Sequence, residues 1–160
     1  MIKNKFLNYG DYKVKCVIGK RGISSFKKEG DLTTPRGKFK IKGFFYRKDR
    51  IKRLKTKLKK IPITKNMGWC DDPKSKQYNK LVKLPFYQSR EKLYRKDNIY
   101  DLILILDYNM DPVKRNKGSA IFIHVAKKKM TPTKGCLAIK KIDLLKLLKL
   151  IEKKTLVKII

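Results

Sequence analysis

The chain has 160 residues, 44 of them Lys or Arg against 13 Asp or Glu, for a formal charge of +31. Apolar residues make up 41%, enough for one packed core, so disorder is excluded by composition and a single domain over residues 1–160 is expected. No apolar run reaches the ~18–20 residues that cross a bilayer, and the first residues lack the apolar stretch and cleavage site of a secretory leader, which leaves a cytoplasmic location open.

The charge attracts anionic polymers: nucleic acid, an acidic wall polymer or an acidic membrane surface. Base readout and bidentate phosphate contacts favour Arg, whereas Lys dominates here, so no specific nucleic acid is expected. Lysine filling tolerant surface positions explains the excess more plainly. The three cysteines, Cys16, Cys70 and Cys136, form no CxxC pair, and His124 is the sole histidine. Zinc patterns need more ligands, so neither a metal nor another cofactor is expected. A Cys16–Cys70 disulfide is open only in an oxidising compartment. The oligomeric state is not legible.

Residues 12–18 (YKVKCVI) alternate with period two and predict a strand with Val14, Cys16 and Ile18 on one face. Gly19 to Gly22 reads as a turn. Thr34-Pro35-Arg36-Gly37 reads as a tight turn, with Pro fixing φ and Gly permitting positive φ. Residues 38–45 (KFKIKGFF) resume the alternation, and the two strands are expected to pair antiparallel. In residues 47–60, Ile51, Leu54, Leu58 and Ile61 recur at helical spacing in a very basic segment. This predicts an amphipathic helix, lying on an anionic surface or docked on the core.

Residues 67–73 (MGWCDDP) gather the only Trp and two adjacent acids. Trp69, Asp71 and Asp72 are candidates to border a binding site, with a carboxylate for an ammonium group; a buried Trp69 beside an Asp-Pro turn is the alternative. Residues 78–85 suggest a short extended piece. Residues 100–106 (YDLILIL) read as a strand buried on both faces. Asp143 is read as the cap of a C-terminal helix carrying Leu144, Leu147, Leu148 and Ile151 on one side, and residues 155–160 as a closing strand.

The chemistry concentrates in residues 118–139. An apolar run, 119–125, carries His124. A basic loop, 127–134, is broken by Pro132, and Gly135-Cys136 opens a second apolar run. His124 and Cys136 lie twelve residues apart, enough chain to turn back. An imidazole can take a thiol proton, and Lys134 with the overall positive field would favour the thiolate. Gly135 lets the backbone approach a reacting carbon, and the N–H groups of Gly135 and Cys136 are candidates for an oxyanion hole. Such a site performs acyl transfer through a thioester. The plain alternative is a core histidine and a small buried thiol.

The order of these residues resembles the L,D-transpeptidase catalytic-domain family of bacterial cell-wall enzymes. A His at a strand end, a loop, then [S/T]-x-G-C before apolar residues is matched by His124, Thr133, Gly135 and Cys136. An upstream T-P-x-G-x-F element is matched by Thr34, Pro35, Gly37 and Phe39. The resemblance runs from about Tyr12 to the C-terminal helix. It implies a mainly β fold, a β-sandwich of mixed sheets with small helices and a C-terminal helix.

The resemblance further implies peptidoglycan stem peptides as substrate, Cys136 as nucleophile, His124 as base and acid, the Gly135 backbone in the oxyanion hole, and Val125 O orienting the imidazole. Thr133, Lys134, Trp69, Asp71 and Asp72 are the candidate substrate-binding residues. The alternatives are an L,D-carboxypeptidase or amidase with the same dyad, or a non-catalytic basic module that binds anionic polymer. The family implies the cell envelope or periplasm. Many members carry Arg two residues after the cysteine, where this chain has Ala138, so recognition of a substrate carboxylate is expected to use other residues.

Overall fold

The computed structural model describes residues 1–3 and 5–160. Fourteen short strands and one helix follow in order: β1 (Ile2–Lys3), β2 (Phe6–Tyr9), β3 (Tyr12–Lys15), β4 (Ile23–Ser24), β5 (Thr34–Pro35), β6 (Gly37–Tyr46), β7 (Lys60–Pro62), β8 (Met67–Cys70), β9 (Leu81–Lys83), β10 (Arg90–Lys92), β11 (Leu102–Leu106), β12 (Phe122–Val125), β13 (Leu137–Ile139), α1 (Lys141–Leu150) and β14 (Leu156–Ile159). The fold is mainly β with mixed sheets, as expected, and α1 is the one helix among the described residues. No helix among them is long and apolar enough to cross a membrane.

The largest sheet runs β13-β12-β11-β6-β14-β1-β2-β3, with β7 also paired to β6. β6 is its shared member. Its first half pairs β14 and its second half pairs β11, with the register shifting at Ile105/Leu106. Ile2, Leu7, Val14 and Val157 join the same apolar cluster as Leu104, Ile123 and Leu137, so the two halves of the sheet face each other across it. Strand residues two apart share a face, and β11 feeds both sides. Leu102, Leu104 and Leu106 pack in the cluster with Leu144, Leu147 and Leu148 of α1, while Ile103 and Ile105 pack in a second with Trp69, Leu93 and Phe122. A three-stranded sheet, β10-β8-β9, supplies Trp69 on that second side.

Several expectations are corrected. Residues 47–60 form no helix. Arg47 donates to Asp49 and to Arg95 O, its guanidinium lies over the Tyr94 ring, and Arg50 donates to the carbonyls of Lys96 and Asp97. These bonds pin the segment as a loop, and a helix would have stacked like charges a turn apart. The apolar positions dock all the same: Ile51 and Leu58 are buried and Leu54 packs beside them.

Thr34-Pro35 is not a turn but a parallel partner of β4. β3 pairs β2 rather than the strand after it, because Ile2–Lys3 and Phe6–Tyr9 form strands of their own. The cap of α1 is Lys140, without a side-chain bond, while Asp143 sits in the first turn and accepts from Tyr12 OH at 3.1 Å. Ile151 lies just past the helix end.

Candidate active site

The site is set by strand register. β11 is wholly apolar and buried, and β12 pairs it antiparallel with Ile103 opposite His124. β13 returns parallel to β12, with His124 opposite Ala138. Opposed residues share a face and alternate residues repeat it, so Cys136, two before Ala138, opens onto the same side as His124. The connection between them is bonded at both ends. Ala126 N–H donates to Ile139 O at 2.7 Å, Thr133 N–H to Ile18 O at 3.0 Å, and Lys20 N–H to Thr133 O at 2.9 Å. His124 and Cys136 line one cavity of about 410 Å³.

His124 Nδ1 lies 2.9 Å from Val125 O. A carbonyl only accepts, so the proton is on Nδ1 and Nε2 carries the lone pair. The Tyr100 ring stands edge-on to the imidazole at 5.5 Å. Burial pushes the imidazole down to about 4, against the smaller upward effect of the Val125 bond. Burial pushes the Cys136 thiol up to about 12, opposed by the Phe122 N–H and by Lys27. Burial thus favours the neutral form of both the thiol and the imidazole. Cys136 Sγ donates to Ala120 O at 3.0 Å and accepts from Phe122 N–H at 3.4 Å.

The turn before the cysteine is braced from both sides. Thr133 Oγ1 donates to Cys136 O and accepts from Gly135 N–H at 3.1 Å. Gly135 N–H is thus engaged, which leaves Cys136 N–H as the candidate oxyanion donor. Gly135 has φ of +149°, and a Cβ there would stand 2.9 Å from Thr33 O and 3.3 Å from Lys27 Nζ. Only glycine fits without displacement.

Of the residues read from sequence, His124, Cys136, Gly135, Thr133, Lys134 and Asp71 line the cavity together. Trp69 and Asp72 do not. Trp69 is buried edge-on to Phe122 at 5.3 Å, and Asp72 closes a turn by accepting from Lys74 N–H at 2.9 Å. Ala138 lies in the cavity wall with Cys136. Cys16 and Cys70 are buried and free.

Sequence reading missed Lys27, Glu29, Glu91, Arg95 and Tyr100, which also line the cavity. Lys27 is only 5% exposed and its Nζ donates to Asp31 Oδ1 at 2.8 Å. Nothing in the sequence marks it out among so many lysines. Asp71 Oδ1 is buried without a hydrogen-bond partner among the described residues.

A search of curated proteins finds no match. A comparison with protein families matches residues 4–159 to YkuD, the L,D-transpeptidase catalytic domain. That span takes in both motifs, every residue of the cavity wall and all but the ends of the chain, and on it the chain belongs to the L,D-transpeptidase catalytic-domain family.

Proposed function

We propose that the protein is a peptidoglycan L,D-transpeptidase with Cys136 as nucleophile and His124 as general base and acid. The observation that carries this reading is the β12–β13 register, which turns both side chains into one cavity. His124 Nε2 takes the Sγ proton as sulfur attacks the carbonyl carbon between the L-centre of diaminopimelate and the terminal D-alanine. The C–S bond forms and the oxyanion meets Cys136 N–H. Collapse breaks the C–N bond, and the imidazolium passes its proton to the leaving amine. An acceptor amine then attacks the thioester, His124 takes its proton, and the sulfur leaves to be reprotonated.

The cavity is charged on both signs, which suits a stem peptide carrying carboxylates and an ammonium. Lys27, held against Gly135, takes the carboxylate role that many relatives give to an Arg at the position of Ala138. Asp71 and Glu91, both in the cavity wall, are assigned to the ammonium. We assign Thr133 to bracing the nucleophile turn and Lys134 to the cavity rim. The polymer substrate places the reaction in the cell envelope, and the basic surface suits an anionic wall polymer.

Incubation with tetrapeptide muropeptides tests the reading. D-alanine release by the native protein, abolished in Cys136→Ala, is expected, together with a carbapenem mass adduct on Cys136. No release by folded protein overturns it. Product analysis with and without an added amine separates transfer from hydrolysis. Cell fractionation tests the compartment, and a purely cytosolic pool overturns the envelope assignment.

A further inference from the structure

Three consecutive residues beside the nucleophile are each held by a different side chain. Asn109 Nδ2 donates to Gly118 O at 2.8 Å, Ser119 Oγ donates to Glu29 Oε2 at 2.7 Å, and Ala120 N–H donates to Asn79 Oδ1 at 3.0 Å. The segment needs holding. Ala120 has φ of +50°, in the left-handed region that costs an L-residue roughly 1–2 kcal/mol, whereas Gly118, at +93°, takes its angle freely.

Asn79 is the most completely fixed of the three. It is 2% exposed. Its Oδ1 also accepts from Trp69 Nε1–H at 3.0 Å, and its Nδ2 donates to Tyr108 O at 3.1 Å and Asn109 O at 2.7 Å. Two donors and two acceptor sites are all an amide has, so it can neither flip nor rotate without losing bonds. Its own φ of +57° is one that Asn tolerates. Beyond it, Ala120 O is the group to which Cys136 Sγ donates.

We propose that Asn79 is the positioning residue of the nucleophile, fixing through Ala120 the carbonyl that parks the Cys136 thiol until a substrate displaces it. A carbonyl lone pair stabilises S–H and repels a thiolate at the same place. The parked sulfur is thereby aimed, and the carbonyl acts alongside burial in keeping it neutral. Trp69 acts from the core as the far anchor of this chain.

Other charges also act on the sulfur. Lys27, Glu91, Tyr100 and His124 face it from the loop after β4, from β10, from the entry to β11 and from β12. Glu29, Asp71, Arg95, Lys127 and Lys134 line the same cavity. All are unchanged in the variants below, so a shift reports the carbonyl together with the burial of the sulfur that its parked position secures.

The test is Asn79→Gly. Glycine accepts the same backbone angle, so the substitution removes the amide and its four bonds without forcing a new backbone path. The rate of Cys136 alkylation by iodoacetamide is followed against pH, with mass spectrometry to locate the label, and D-alanine release is followed in parallel. The midpoint of alkylation is expected to fall by about one pH unit, making Cys136 about tenfold more reactive near neutral pH. Turnover is expected to fall by about tenfold in kcat with KM little changed, since the sulfur is no longer aimed.

Trp69→Phe, which removes one donor to the amide, shifts the midpoint the same way by less. An unchanged midpoint in Asn79→Gly overturns the proposal. If that variant loosens, so that core Cys16 and Cys70 are labelled too, Trp69→Phe decides, and an unchanged midpoint there overturns it. The turnover arm rests on the transpeptidase reading; the alkylation arm does not. A shifted midpoint in a protein that never releases D-alanine upholds the positioning role and rejects the substrate.

Discussion

The Thr34 hydroxyl donates to Gly135 O at 2.8 Å and accepts from Gly19 N–H at 2.8 Å, joining positions 101 residues apart in one buried contact. The two motifs that mark the family in the sequence therefore meet in space, and Thr34 is the atom-level link. Thr34→Val keeps the shape and removes both bonds, leaving a buried N–H and a carbonyl unpaired. A loss of roughly 2–4 kcal/mol is expected, read as a lower urea midpoint, together with slower D-alanine release.

Gly135→Ala places a methyl group at 2.9 Å from Thr33 O at a φ that L-residues avoid. The turn must shift, and the sulfur with it. A loss of about 10²-fold in kcat is expected for a misplacement on the order of 1 Å, with far-ultraviolet circular dichroism unchanged.

His124 makes stability depend on pH in a defined window. Its folded value of about 4 lies below the ordinary 6.5, so between these the unfolded chain binds a proton that the folded chain refuses. Stability is full above 6.5 and declines as pH falls toward 4, by on the order of 3 kcal/mol at most. Asp31, held down to about 2 by Lys27 and the Lys28 and Thr33 donors against its own burial, acts below this window. Urea unfolding at pH 7 and pH 4.5 measures the decline, and His124→Asn, which cannot titrate, is expected to flatten it.

Lys27→Gln separates recognition from folding. Asp31 keeps three other donors, Lys28 N–H, Thr33 N–H and Thr33 Oγ1. The loop should therefore hold, at a loss of roughly 1–2 kcal/mol. If Lys27 takes a substrate carboxylate, KM for the tetrapeptide rises by about tenfold while Cys136 is still acylated by an electrophile lacking that group. An unchanged KM removes Lys27 from recognition.

Legibility in the sequence followed the range of the interactions. LILIL in β11 and the run through His124 read correctly because burial on both faces leaves a continuous apolar string. The thiol and imidazole were visible because each is scarce. The helix expected over residues 47–60 failed because side-chain donors from Arg47 and Arg50 reach backbone carbonyls of residues 95–97, which no local period reports. Thr34-Pro35 carries turn residues yet is drawn straight by β4. Asn79 was passed over entirely, since its importance comes from four partners supplied by distant segments. For Trp69 the sequence offers a seat at the cavity border or one in the core, and the structure takes the second: the ring is buried against Phe122 and its Nε1–H donates to Asn79 Oδ1.

Both ends of the connection from β12 to β13 are bonded to their neighbours before the chain leaves the sheet, so its middle carries no register information. Residues added or removed between Lys127 and Thr131 change what overhangs the cavity and leave the spacing of sulfur and imidazole as it is. One residue added between Cys136 and Ala138 would carry the sulfur to the opposite side of the sheet. Tolerance to insertion is thus lopsided about Thr133: free upstream, where the loop over the cavity can drift, and closed downstream, where a single residue takes the sulfur out of the cavity that the imidazole lines.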